Sequence, residues 1–549
     1  MTQGFSVHIK NNQVDLKSFS PKYSYDSVVI STSEFDIVLE GLILNKKKLL
    51  KDRNEVDFRN FIIVSYLRSG WKIIKELEGE FRGCIWDKRT QQVFVFTNPT
   101  STQRVFYATI NDEFFADSDL VRLSQTLRAQ GNSLQPDITS IYQLLAIGNL
   151  LEDRTPILNV NKVLDSELLE INCNTLNLKR IVYFDVNNIS YYRQSQNNAL
   201  DQIHEIFTEG IKMEYEKDLE LDGSHLALLS GGLDSRMAMM YAVKNDFDID
   251  CALCFSQKGY FDETISRQIA SDYHISYEFV ALDKGSFLKK IDELTRISEG
   301  TSLYTGGVHV SYALDQLQFD GFSIFHGGAI GDGILGGFNS EPGRKAPSQY
   351  KIIANPSFLP KIQADLDQIF KNYEREEIFL LKNLAYNRTV LGAQVLQQKA
   401  YLISPFMTKD FIQFSVSLPE SWKYKHQFYL RWLLKHCREA SKYSWERTLM
   451  KPNAQWKIPF GEKYLKGAYN AFYGKILRKP EKTSMYPYQY YYDSDLSIQR
   501  YYQQYFDENL DRLQDYPELQ QEIARLFSSD IFYYKCQAID ILSIFKLYF

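Results

Sequence analysis

The chain has 549 residues, 44% of them hydrophobic, which at ~150 residues per domain is enough for two to four packed domains. Lys and Arg total 63 against 68 Asp and Glu, a balance with no generic pull toward nucleic acid or an anionic membrane, and 28 Gly with 15 Pro exclude a low-complexity chain. Six cysteines are too few for a disulfide scaffold, and no uncharged apolar run approaches the ~18 to 20 residues that span a bilayer. The polar start Met1-Thr2-Gln3-Gly4 also lacks a signal-peptide pattern, so a cytoplasmic protein with neither membrane nor nucleic-acid partners is expected.

Up to about Asp185 the pattern is short alternating or apolar runs, predicting strands at 27–31, 37–44, 83–86, 93–97 and 105–110. One helix interrupts them at 58–68, with Phe61, Ile62, Tyr66 and Leu67 on one face. From about Tyr191 buried strands alternate with helices: helix 199–215, strand 225–229, helix 236–244, strand 250–255, helix 262–273, strand 277–282. Crossovers of that length require parallel strands. Beyond Ser357 the chain reads as mostly helical, with an amphipathic helix over 366–384 and a last helix over 531–549. The expected organisation is an α+β domain at 1–190 followed by an α/β domain at 191–549 with a helical end.

Leu228-Leu229-Ser230-Gly231-Gly232-Leu233-Asp234-Ser235 lies where a strand gives way to a helix. Two glycines allow close backbone approach to an anion, the helix start offers free N–H groups, and Ser230 and Ser235 add hydroxyls. The loop has no Gly-Lys-Ser/Thr ending, so a lysine must reach the phosphates from elsewhere in the sequence. Asp234 beside a phosphate implies a bridging Mg²⁺.

The hexapeptide resembles the PP-loop ATP pyrophosphatases, and more narrowly the asparagine synthetase family. That resemblance implies a second aspartate in a later glycine-rich loop, and 325–337 supplies it as Gly331-Asp332, followed by Gly336-Gly337. Ser404-Pro405-Phe406, Leu418-Pro419, Tyr429-Leu430-Arg431, 447–451 and 456–459 follow in the family's order. It also implies a catalytic lysine, for which Lys451 is the first candidate and Lys457 the second. Asp234 and Asp332 would hold Mg²⁺, while Ser230, Gly231, Gly232, Leu233, Asp234, Ser235, Gly331 and Asp332 would hold ATP. Phe261-Asp262-Glu263 matches the family too, although acids in a first helical turn are favoured anyway.

In this family the first domain resembles an N-terminal-nucleophile glutaminase sandwich, with a cysteine after the initiator Met. Here that position is Thr2, Glu40-Gly41-Leu42 stands where the family has Asn-Gly-Glu, and no Arg-Gly-Pro-Asp loop is present. Leu77-Glu78-Gly79-Glu80-Phe81, Ile85-Trp86-Asp87 and Val105-Phe106-Tyr107 keep the scaffold, implying a glutaminase shell without chemistry. Ala329 and Ile330 replace the glutamate-bearing stretch of asparagine synthetases and Gly333 the acid after the aspartate, leaving His326 or Tyr304 as weak candidates for a general base. Cys251-Ala252-Leu253-Cys254 reads as buried thiols and Lys46-Lys47-Lys48 as a solvated edge.

The expectation is an AMP-forming amide synthetase similar to β-lactam synthetases and lasso-peptide cyclases. It would join a carboxylate on a small molecule, peptide or glycan to an amine or ammonia, using ATP and Mg²⁺. An asparagine synthetase fed by ammonia and a non-catalytic nucleotide-binding scaffold are the alternatives. Homo-oligomerisation is compatible with the sequence and not specified by it.

Overall fold

The computed structural model describes residues 4–19, 24–389, 391–454, 458, 461–477 and 479–549. Thr2, Trp456, Lys457 and Pro459 lie outside the described residues.

The first part contains two antiparallel sheets. One has the order β2-β1-β8-β7-β9, from β1 (Gly4–Lys10), β2 (Gln13–Phe19), β7 (Phe106–Ile110), β8 (Glu113–Asp117) and β9 (Asn161–Lys162). The other has the order β11-β10-β6-β5-β4-β3, from β3 (Val28–Ser31), β4 (Phe35–Ile43), β5 (Gly79–Asp87), β6 (Gln92–Thr97), β10 (Glu167–Asn172) and β11 (Leu178–Val182). The two-residue side-chain period builds a layered core. Phe5, Val7 and Ile9 of β1 face Val93 and Val95 of β6 between the sheets, whereas Phe94 and Phe96 point outward under the helix Phe58–Ser69. On the other outer face, Phe106, Ala108 and Phe115 pack beneath Leu120–Ala129 and Ile138–Ile147. The result is the α+β sandwich expected of a glutaminase-type shell.

The second part is built on a sheet of five parallel strands in the order β14-β13-β12-β15-β16. These are β12 (Leu226–Leu228), β13 (Cys251–Ser256), β14 (Ser276–Ala281), β15 (Ile324–His326) and β16 (Tyr401–Ile403). β12 pairs with β13 on one side and β15 on the other, so the winding reverses there and opens a crevice at the carboxyl ends of β12 and β15. The helix Phe532–Tyr548 shares one core with Leu144, Leu145 and Leu294, joining the chain's end to helices of both parts. Leu42 and Leu44 of the first part pack on Ile324, Tyr401 and Ile403 at the far side of the parallel sheet.

Two sequence expectations are corrected. The helix over 366–384 is broken: Leu359–Phe370 ends, Glu376–Leu380 begins, and wider turns run from Leu381 to Thr389. Arg375 sits in extended backbone between the pieces, its guanidinium held by Glu377, Glu420 and the Val416 carbonyl. Lys46 is not a solvated edge. It ion-pairs with Asp26 at 2.6 Å and with Glu220, beside the fully buried Lys217–Asp26 pair at 2.7 Å, whereas Lys47 and Lys48 are exposed. The six cysteines are buried and free, as read for Cys251 and Cys254. Among the described residues no helix is long and apolar enough to cross a membrane.

Candidate active site

β12 ends at Leu228, and the helix Asp234–Lys244 starts six residues later. Between them the loop is closed by its serines: Ser230 N–H donates to Ser235 Oγ at 3.0 Å, the two hydroxyls lie 3.1 Å apart, and Gly232 N–H donates to Ser230 Oγ at 3.2 Å. Gly231 N–H donates to Asp262 Oδ1 at 2.9 Å, so this first-turn acid holds the loop. Burial, with Glu446 nearby, pushes the Asp262 carboxyl up to about 6. The Leu233 side chain is buried in the core, leaving only its backbone to face a ligand. The first helical turn begins at Asp234, and the N–H groups of such a turn have no partner inside the helix.

The second loop crosses directly over the first. A Cβ on Gly328 would lie 2.3 Å from the carbonyl carbon of Asp234, and one on Gly331 would lie 2.8 Å from Asp234 Cγ, so only glycine fits either position. That approach lets Asp332 N–H donate to Asp234 Oδ2 at 2.7 Å, across 98 positions of sequence. Tyr429 donates its hydroxyl to Asp234 Oδ1 at 2.8 Å. Burial and the neighbouring Asp332 hold the Asp234 carboxyl well above its ordinary range; burial raises that of Asp332 as well, against the nearby Arg447. Ile330, between the glycines, takes φ = 66°, a left-handed conformation that is an outlier for a β-branched side chain.

The segment after Tyr443 closes the crevice. Arg236, completely buried, donates to the carbonyls of Gly231 (3.0 Å), Ala440 (3.0 Å) and Tyr443 (3.2 Å), and Glu446 N–H donates to Gly231 O at 3.1 Å. Arg447 Nη1 then stands 3.6 Å from Asp332 Oδ2, and Lys466 bonds Glu446 Oε1 at 2.8 Å. Ser230, Gly231, Gly232, Leu233, Asp234, Ser235, Gly331 and Asp332 are therefore brought together as the motif spacing suggests. Lys451 is exposed four positions beyond Arg447, with no ion pair to either aspartate among the described residues.

Sequence reasoning missed the roles of Arg236, Tyr429, Arg447 and Lys466. Tyr429 and Arg447 stood in recognised stretches without an assigned contact, and nothing local marks Arg236 or Lys466. The two weak base candidates are placed elsewhere. His326 is buried and donates to Glu214 (2.7 Å) and Asp218 (2.9 Å), stacked on Tyr215. Tyr304, also buried, bonds Tyr502 and Cys536. In the first part, Glu40 accepts from Arg82 Nε at 3.0 Å and Leu42 is fully buried against the parallel sheet.

Residues 24–183 match a glutamine amidotransferase domain model. The chain is 23% identical over 381 residues to the protein named "Putative asparagine synthetase (glutamine-hydrolyzing) 2" of Methanocaldococcus jannaschii, covering 65% of this chain and 71% of that one. It is 22% identical over 264 residues to asparagine synthetase (glutamine-hydrolyzing) 2 of Bacillus subtilis, covering 46% of this chain and only 35% of that one. Among solved structures, glutamine phosphoribosylpyrophosphate amidotransferase from B. subtilis aligns with 50% of this chain and 59% of its own, at 12% identity and a TM-score of 0.22.

Proposed function

We propose that this chain, which belongs to the asparagine synthetase family, is an ATP-dependent carbon–nitrogen ligase that activates a carboxylate as its adenylate and transfers the acyl group to an amine or ammonia. Residues 191–549 would carry this chemistry, and residues 1–190 would form a glutaminase-like shell that releases no ammonia. The observation that carries the reading is the meeting of Asp234 and Asp332, 98 positions apart, over a glycine-rich helix start at a sheet's switch point.

The donor set suits Mg²⁺. Two carboxylates forced together, both with raised pKa, are relieved by a divalent cation, and Mg²⁺ commonly takes one or two protein carboxylates and completes its shell with phosphate and water. Bound there, it would supply charge neutralisation to the leaving pyrophosphate. The backbone N–H groups of 233–235 would bind the phosphates, with Asp262 and Arg236 fixing the loop that presents them. Tyr429 would orient Asp234. Arg447 and Lys451 would bring positive charge from the covering segment, with Lys451 as the candidate for stabilising charge in the transition state. With the β- and γ-phosphates held as one leaving group, the α-phosphorus is left to the substrate carboxylate. The absence of a P-loop lysine agrees with attack there and not at the γ-phosphate.

The engagement of Glu40 by Arg82 and the burial of Leu42 support loss of glutamine hydrolysis. The relatives are named glutamine-hydrolyzing asparagine synthetases; a second reading keeps asparagine synthesis from those names and takes its ammonia from outside the chain. Chromatography of the spent nucleotide tests the proposal. AMP with pyrophosphate is expected when acid and amine are supplied, and stoichiometric ADP would overturn it.

A further inference from the structure

The hairpin at the start of the chain leaves a strand edge open. β2 lies at the outside of its sheet and pairs only with β1 among the described residues. Its seven residues make it the longest of the outer strands, since β3, β9, β11, β14 and β16 have four, two, five, six and three. It carries no proline and no bulge: Gly4 to Lys10 pair one for one with Phe19 to Gln13. Such an edge is a template for another strand unless something blunts it. The alternation of the ladder fixes which groups point outward. Phe5 O accepts Ser118 N–H on the β8 side of β1, so the backbones of Ser6 and His8 face β2 and their partners Lys17 and Asp15 face back. The N–H and C=O groups of Val14, Leu16 and Ser18 therefore point to the open edge.

The side chains divide in the same way. Val14 and Leu16 are half-buried at the rim of the core between the sheets, beside Phe5, Val7 and Ile9. Asp15 and Lys17 stand on the opposite face, 2.7 Å apart and more than half exposed. This edge is self-complementary. When two copies of β2 run antiparallel about a twofold axis through Leu16, Leu16 meets Leu16 of the second copy and Val14 meets Ser18, each pair exchanging both of its backbone hydrogen bonds. Asp15 of one copy then lies opposite Lys17 of the other, at the non-hydrogen-bonded positions where side chains come closest. An axis through Asp15 or Lys17 would set like charges against each other, so the charges select the Leu16 register. The two half-buried rims meet there and continue one core into the other.

We propose that two copies of the chain join through this edge, β2 against β2, with a single sheet running through both. No residue of β2 belongs to the nucleotide loops, and the pairing is independent of their chemistry. Analytical ultracentrifugation of the intact chain over a range of concentrations tests it. The unaltered chain forms a concentration-dependent dimer. Asp15→Lys sets lysines against lysines across the axis and Lys17→Asp sets aspartates against aspartates, so each variant alone has a dimer dissociation constant raised at least about tenfold. An equimolar mixture of the two restores opposite charges across the axis and recovers the dimer. Both side chains are exposed, so the circular dichroism of either variant stays that of the unaltered chain. Leu16→Pro removes an N–H that points at the second copy and none that bonds β1, and it also yields a monomer. An unaltered chain that stays monomeric, single charge variants that dimerise as it does, or a mixture that remains monomeric would each overturn the proposal.

Discussion

The loops after β12 and β15 and the strand β4 at Glu40 hold polar residues in two different ways in one chain. In the loops, several backbone N–H groups are taken by side chains, but the first helical turn is left open and two like-charged carboxylates lie together, and burial with the neighbouring Asp332 raises the Asp234 pKa. At β4 Arg82 takes one oxygen of the Glu40 carboxylate, and Leu42 packs against Ile324, Tyr401 and Ile403. On the proposed reading, a site that acts on a ligand would keep unspent hydrogen-bonding and charge, whereas one converted to scaffold would spend more of both internally. The shared sandwich fold says nothing about which has happened.

That contrast can be broken most severely at the aspartates. Asp234→Asn and Asp332→Asn should each cost several kcal/mol in the rate of pyrophosphate release, since a metal-held charge is removed from the transition state. Far-ultraviolet circular dichroism should stay unchanged, and near-normal turnover would remove that residue from the mechanism. Tyr429→Phe deletes one hydrogen bond to Asp234 and nothing from the ring, so a loss of about 1 kcal/mol, or roughly fivefold in rate, is expected. A steady-state assay at saturating ATP reads it directly.

A smaller effect belongs to the buried network behind the second loop. Burial pushes the His326 pKa down, but the hydrogen bonds to Asp218 and Glu214 outweigh it and lift the value to about 9; burial lifts Glu214 to about 7. Both groups bind protons more tightly folded than unfolded, so their contribution is present at lower pH and is lost as pH rises through about 7 to 9. Urea denaturation across that window should show declining stability, with a shallower decline in His326→Gln. The smallest expected signal is from glutamine: the purified chain should release no glutamate above a heat-killed control. Release would show that the glutaminase-like half still works.

The cradle was legible because its chemistry is local. Ser-Gly-Gly-Leu-Asp-Ser at a strand-to-helix junction dictates backbone geometry by itself, and the sheet's parallel order follows from crossover length. Contacts that depend on distant partners were not legible. Lys46 looked solvated because Asp26 and Glu220 are far off in sequence, and the break before Glu376 is set by Arg375 finding Glu420 and the Val416 carbonyl. The β1–β2 hairpin did leave a signal that went unread: Asn11 and Asn12 both take positive φ, the pattern of a tight hairpin turn.

The central claim is that the cradle breaks ATP between its α- and β-phosphates to activate a carboxylate. Exchange of labelled pyrophosphate into ATP by the intact chain, across a panel of carboxylic acids, tests it most directly. The account predicts exchange that requires an acid, disappears in Asp234→Asn and is indifferent to added glutamine. Exchange of labelled phosphate with formation of ADP would contradict it.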